Sequence, residues 1–267
     1  GWWGSAAFTQ QVNSLWGWVG LNLEFEGGSA YLMVIFFYAL TLVMTFCIPQ
    51  APKLYIDHGQ WHTSPIRFWR CDLNSLWGDP LARTSLAVTT LFWGIGACMQ
   101  LLVLDWSQKS LGLSLEQGAY MQGISVWGVI SGAWWAGRTV TLANHGQTLR
   151  SGLIMAVLLP CMLMIGDWRW AAPLIVILGF ASGHLVVPMN AMLQHRGVQV
   201  LSAGRSIAVQ NFNENISILV ILGIYSAVIR LGGAWWIMIW GAAALMALVC
   251  GGLMRIRGGV SAELDPS

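Results

Sequence analysis

The chain has 267 residues, of which 13 are Lys or Arg and 11 are Asp or Glu, while 56% are hydrophobic and the mean hydropathy is +0.63. Soluble globular domains carry about 25% charged residues, against 9% here, so the composition excludes that class and indicates a membrane protein. Five cysteines with no C-x-x-C pair exclude a disulfide scaffold or a zinc ribbon, and a net charge of +2 without any basic run excludes nucleic acid as a partner.

Residues 1–29 are uncharged up to Glu24 but are interrupted by Thr9, Gln10, Gln11, Asn13 and Ser14. They predict a periplasmic, interfacial segment in which Trp2, Trp3, Trp16 and Trp18 sit at headgroup level. Gly1, with neither an initiator Met nor a basic n-region, leads to the expectation that an N-terminal part of the protein precedes this chain. The apolar run 27–52 then predicts a first helix over 30–48. A long polar connection follows over 49–83, in which Asp57-His58 with His62 at i+4 is the best candidate for metal ligands, although Gly59 and Pro65 argue against a firm helix there and no further ligand is evident.

Beyond it, uncharged runs at 84–104, 117–137, 151–166, 170–195 and 231–254, with 206–229 broken only by Glu214, predict six further helices. Each meets or approaches the roughly 20 apolar residues that cross a hydrocarbon core about 30 Å thick. The expected fold is therefore an all-α polytopic membrane protein of about seven spans, with a six-helix bundle over 84–256 and a tail over 257–267. If the first helix runs inward, ten of the 13 basic residues fall on one side and three on the other. That bias puts the C-terminus in the cytoplasm.

One helix ending in a long cytoplasmic loop, followed by six more, resembles the junction and second half of a major facilitator transporter, in which two inverted three-helix repeats are expected. The two triplets show no clear identity to each other. The residues then become specific. The run 186–197, VVPMNAMLQHRG, and the run 203–215, AGRSIAVQNFNEN, with Leu91-Phe92-Trp93-Gly94 and Gly223-Ile224-Tyr225-Ser226, closely resemble the bacterial lysophospholipid transporter family. The resemblance extends over most of 80–256. It implies a protein of the bacterial inner membrane that moves lysophospholipids, chiefly lysophosphatidylethanolamine, inward for re-acylation by a cytoplasmic-side acyltransferase and acyl-carrier-protein synthetase. It also implies that helix 30–48 is the last of an N-terminal bundle and that no cofactor takes part.

Polar residues inside spans are costly in lipid and face protein or a water-filled cavity. Glu214 lies about 13 Å along its expected helix, near mid-membrane. Gln210 at i−4 and Ser217 at i+3 share its face, and Asn211 and Asn215 form an adjoining stripe. Two readings stand: a cavity wall for the ammonium or hydroxyl groups of a headgroup, or interhelical hydrogen bonds that hold the bundle together. On 170–194, Pro188 interrupts the helical ladder and is either a gate hinge or a static kink; His184 and Asn190 flank it as candidate ligands. Trp93 and Gln100 share a face with Gly96 and either receive an acyl chain or pack in the core.

Arg138, Arg196 and Arg205, at cytoplasmic helix ends, either latch that side closed by pairing with carboxylates or follow the positive-inside bias alone. Gly132 and Gly137 before Arg138 bear a degenerate resemblance to the facilitator glycine-and-arginine loop signature. No H-x4-D, G-x-S-x-G or phosphate-loop pattern occurs, so no enzyme chemistry is expected. A facilitator-fold exporter of small amphipathic solutes, or the membrane part of a fused acyltransferase, remains as the alternative.

Overall fold

The computed structural model describes residues 28–47, 65–142 and 144–263, and the chain divides into two compact units, 1–54 and 55–267. The interfacial segment expected before the first helix, the Asp57, His58 and His62 group, and residues 264–267 of the tail lie outside the described residues. In the first unit, α1 (Gly28–Phe46) is apolar along its length, with Phe36, Phe37 and Tyr38 exposed.

The second unit holds α2 (Pro65–Gly78), α3 (Pro80–Lys109), α4 (Leu115–Thr139), α5 (Leu149–Cys161), α6 (Trp168–Val200), α7 (Ala203–Arg230) and α8 (Trp236–Glu263); short 3-10 turns flank α5 at His145–Thr148 and Met162–Met164. Local chemistry sets the boundaries. Asp79 caps α3, accepting from the Leu81 and Ala82 amides at 3.1 and 2.8 Å, with Pro80 in the first turn. Ser114 and Gln117 form a reciprocal capping box on α4, and Asp167 caps α6. The turns after α3 and α7 pass through Gly112 and Gly232 at φ of 65° and 77°, conformations that suit residues lacking a Cβ.

Helices form at all seven expected spans, and five are both long and apolar enough to cross a membrane: Pro80–Lys109, His145–Met164, Trp168–Val200, Ala203–Arg230 and Trp236–Ile256. The other two differ for separate reasons. α4 has 25 residues, roughly 37 Å of helix, but Glu116, Gln117, Gln122 and its repeated glycines dilute its apolar character. The apolar part of α1, Leu32–Phe46, is short. In the connection expected over 49–83, residues 65–78 are helical: α2 turns Leu76 inward with Trp69, Leu73 and Trp77 beside it, one apolar stripe at helical spacing, and packs on Ala82, Leu86, Leu193, Leu201 and Val209.

The most extensive contacts among the spanning helices are α4 with α6, α3 with α7, and α5 with α8. Exchanging the triplet α3-α4-α5 for α6-α7-α8 turns the first pair into the second and leaves the third unchanged. The lesser pairs obey the same exchange, α5 with α6 answering α3 with α8, and α3 with α4 answering α6 with α7. Three crossings reverse direction, so these are inverted repeats, visible in the packing although absent from residue identities.

The α4 and α6 backbones meet through glycines. A Cβ at Gly128 or Gly132 would strike the carbonyl oxygens of Val176 or Phe180, and one at Gly179 or Gly183 those of Ser125 or Val129. Both helices carry small residues four apart, the pattern that lets membrane helices approach closely where no hydrophobic effect drives them together. The core between the helices is filled by Leu102, Trp106, Met162, Leu185, Ile239 and Met246, all fully buried.

Candidate functional site

Asn190 of α6, Gln210 and Glu214 of α7 form one hydrogen-bonded junction. The Gln210 Nε2 donates to Asn190 Oδ1 at 2.9 Å and to Glu214 Oε1 at 2.8 Å. Gln210 and Glu214 are one helical turn apart, so a single amide satisfies a carboxylate on its own helix and an amide oxygen across the seam. All three side chains are half-buried. Ser217, expected on the same face, abuts Gly94 of α3, which fixes the level at which α3 and α7 cross. Asn211 is not part of the junction: it is exposed, and its carbonyl accepts from Asn215 Nδ2 at 2.7 Å.

His184 is turned the other way. Its Nδ1 lies 2.8 Å from Ser151 Oγ on α5, and its ring stacks on Phe180 at 6.2 Å. Pro188 is buried within a helix that continues through it. The missing amide at position 188 leaves the His184 carbonyl without its usual helical donor, so a local weakness in α6 sits between His184 and Asn190.

Trp93 and Gln100, both exposed, border a half-open cavity of about 780 Å³ lined mainly by α3, α4 and α6. Ile95, Met99, Val103, Val126, Val129 and Leu178 give it an apolar wall. Ser125 and Ser182 also line it, but their hydroxyls donate to the Gln122 and Gly179 carbonyls of their own helices. Two glutamines, Gln100 and Gln122, supply its remaining polar side chains. The cavity reaches Ile218 of α7, four residues beyond Glu214, so an apolar chamber ends about one helical turn from the carboxylate junction.

At the other end of the bundle two of the three arginines are paired. Arg196 of α6 holds Asp79 with two donors, Nε at 3.3 Å and Nη2, and its Nη1 donates to Gln199 at 2.7 Å. The Arg196 guanidinium holds the Asp79 carboxyl below the ordinary aspartate range, against the opposing effect of burial and with help from the Ala82 amide. Arg205 of α7 holds Asp72 of α2 in the same bidentate way. Arg138 instead lies over the Trp134 ring, 3.6 Å from its centroid. Asp72, Asp79 and Gln122 were not singled out by the sequence reading. The two aspartates sit in a stretch expected as connection, and only the amphipathic spacing of 65–78 signals that part of it folds back. Among the described residues no three His, Cys, Asp or Glu side chains converge as metal ligands.

Fold and junction together define an all-α, multi-pass membrane protein whose helix pairing agrees with the major facilitator plan, with a polar junction beside an apolar chamber. The chain is 37% identical over 199 residues to the lysophospholipid transporter LplT of Yersinia pestis (strain Pestoides F), and equally so to the proteins of that name from Yersinia pestis bv. Antiqua (strain Angola) and Yersinia pseudotuberculosis serotype O:3 (strain YPIII). Each match covers 73% of this chain and 48% of the relative, so the chain spans about half the length of the curated relatives it matches. Over those 199 residues the chain is similar to the lysophospholipid transporters of these organisms. No protein-family model and no solved structure matches it.

Proposed function

We propose that the protein to which this chain belongs carries lysophospholipids, chiefly lysophosphatidylethanolamine, inward across the bacterial inner membrane, where an acyltransferase and acyl-carrier-protein synthetase on the cytoplasmic side restore the second chain. The observation that carries this reading is the apolar chamber ending one turn from Glu214. A lysophospholipid has one acyl chain and a polar head. The chamber suits the chain; the carboxylate, oriented by Gln210, suits an ethanolamine ammonium through a charge-assisted hydrogen bond. No catalytic step is assigned to the chain.

In this reading residues 30–48 are the last helix of an N-terminal bundle, 49–83 the inter-bundle connection and 84–256 the C-terminal bundle, with the C-terminus in the cytoplasm. The Arg196–Asp79 and Arg205–Asp72 pairs tie both arms of the α6–α7 hairpin to α2 and the start of α3, and so act as a cytoplasmic latch. Pro188, two residues before Asn190 of the junction and on the side away from the latch, is the hinge about which the end of α6 moves. Uptake of labelled lysophosphatidylethanolamine into spheroplasts is the direct test. Cells dependent on the intact protein should take it up; an intact protein that moves a water-soluble amphipathic drug but no lysolipid would replace this reading with the exporter.

A further inference from the structure

We propose that the outer face of the α5–α8 pair holds a two-chain anionic phospholipid, its phosphodiester clasped between Arg150 and Arg255 and its chains lying along the two helices into the membrane. On their inner faces these helices give Met155, Leu159 and Met246 to the chamber; the lipid site lies on the opposite faces and does not depend on the transport reading.

The two arginines share one end of the bundle and one stretch of its perimeter. A Cβ at Gly152 would strike Cys250 Sγ, so these positions mark the level at which antiparallel α5 and α8 touch. Arg150 is two residues from that level and Arg255 five, both toward the latch end. Their depths therefore differ by about 5 Å, a stagger that lets two guanidiniums reach one phosphodiester.

Neither arginine has a protein anion. At the latch end Asp79 and Asp72 are taken by Arg196 and Arg205, and Arg138 lies over Trp134. Arg150 and Arg255 are exposed and make no hydrogen bond or ion pair among the described residues. Arg150 lies inside the span His145–Met164. From Arg150 to Met164 the helix is roughly 22 Å long, against a hydrocarbon core of about 30 Å. The Arg150 backbone thus falls short of the headgroup layer, and its side chain must snorkel toward it. A guanidinium rising from that depth meets the phosphate oxygens first.

The surface below suits two chains. Moving away from the arginines, Ile154 of α5 is level with Leu248 of α8, and Val157 with Leu245; all four are exposed. Ala244, Ala247 and Gly251 keep the α8 surface between these ridges low, and a Cβ at Gly251 would meet only Leu153, at 3.9 Å. Each helix thereby offers one apolar track beneath one cation. The paired cations favour an anionic head, because a zwitterionic head carries its own ammonium beside the phosphate, whereas a glycerol head leaves the phosphate charge to the arginines.

The test is the melting midpoint of the purified intact protein in detergent, titrated with dioleoylphosphatidylglycerol or dioleoylphosphatidylethanolamine. Phosphatidylglycerol should raise the midpoint saturably, and phosphatidylethanolamine should do so weakly at the same mole fraction. Arg150→Gln and Arg255→Gln should each raise the half-saturating fraction of phosphatidylglycerol by about fivefold, the order expected for one basic residue at an anionic lipid surface. Arg150→Lys should recover most of that loss. Arg70 is exposed on α2, which packs on α3, α6 and α7 away from this seam, so Arg70→Gln should leave the titration unchanged. An equal response to both lipids, unchanged half-saturation in both arginine variants, or the same weakening by Arg70→Gln overturns the site. So does a lipid-independent dimer that Arg150→Gln dissociates, which would put a second copy of the protein on this face.

Discussion

Arg205 at the start of α7 grips Asp72 of α2 with two donors, Nε to Oδ2 at 2.8 Å and Nη2 to Oδ1, and the Asp72 side chain is 3% exposed. A carboxylate buried this far depends on its partner, since removing one member leaves an uncompensated charge. Asp72→Ala should therefore destabilise the protein by roughly 1–3 kcal/mol, the buried-pair cost discounted because Arg205 is partly exposed. Arg205→Lys, which loses the planar fork, should recover only part of the wild-type stability. Thermal unfolding in detergent measures both; an unchanged midpoint for Asp72→Ala would remove α2 from the latch.

The second tie has a pH signature. Asp79 is held below its ordinary value of 3.8, first by the hydrogen bond from Arg196. A carboxylate whose folded pKa is depressed adds stability that is fully present above the unfolded value and is lost as pH falls through the folded one. The tie should thus be intact at neutral pH and weaken below about pH 4. Asp79→Asn should lower the melting midpoint at neutral pH and flatten its fall on acidification. An acid limb as steep as that of wild type would assign the loss to other carboxylates.

Gly132 offers a test of the α4–α6 seam with an internal control. A Cβ at this position meets the Phe180 backbone, whereas one at Gly137 meets nothing within 4 Å. Backbone cannot move aside as a side chain does, so Gly132→Ala should cost about 1–3 kcal/mol as an overpacked contact, while Gly137→Ala should be near neutral. Equal midpoints for the two variants would show that the helices are less tightly apposed than described.

At the junction, Glu214→Gln retains an acceptor for the Gln210 amide and removes the charge. If the group only braces α7 against α6, uptake should survive. On the proposed role, membrane expression persists and lysophosphatidylethanolamine uptake falls by about tenfold or more, the order expected when a charged hydrogen bond is lost. Near-normal uptake would reduce Glu214 to an interhelical brace and shift headgroup recognition to other groups.

Orientation can be read from Cys71, which is exposed on α2. With the other cysteines replaced, a membrane-impermeant maleimide should label it in inside-out vesicles and not in intact spheroplasts. The opposite pattern would invert the topology inferred from the basic residues.

The helices were legible in the sequence because lipid enforces a simple rule: a segment that crosses must be long, apolar and internally hydrogen-bonded. Runs bounded by Arg83 and Asp105, or by Arg230 and Arg255, therefore delimit elements without reference to any neighbour. Glu214 stood out for the same reason, as a charge where charge is expensive. The link between Gln210 and Glu214 was legible too, because i and i+4 on one helix are adjacent by geometry.

What lay across a seam was not legible. Nothing in the chain announces that Gln210 reaches Asn190 while neighbouring Asn211 points away, that His184 turns to Ser151, or that Gln122 rather than a serine faces the chamber with Gln100. Those outcomes depend on helix rotation, which is set by the glycine contacts of α4 with α6 and by the pairing of α3 with α7. The inverted repeat is hidden for a related reason: packing symmetry constrains which helices touch, and many residue choices satisfy it. Asp72 and Asp79 read as ordinary charges of a polar connection until α2 folds back and brings them to Arg205 and Arg196. Composition and spacing specify the spans because the bilayer acts on each helix separately; partners are decided only in the tertiary structure, because a hydrogen bond between helices depends on the rotation and depth of both.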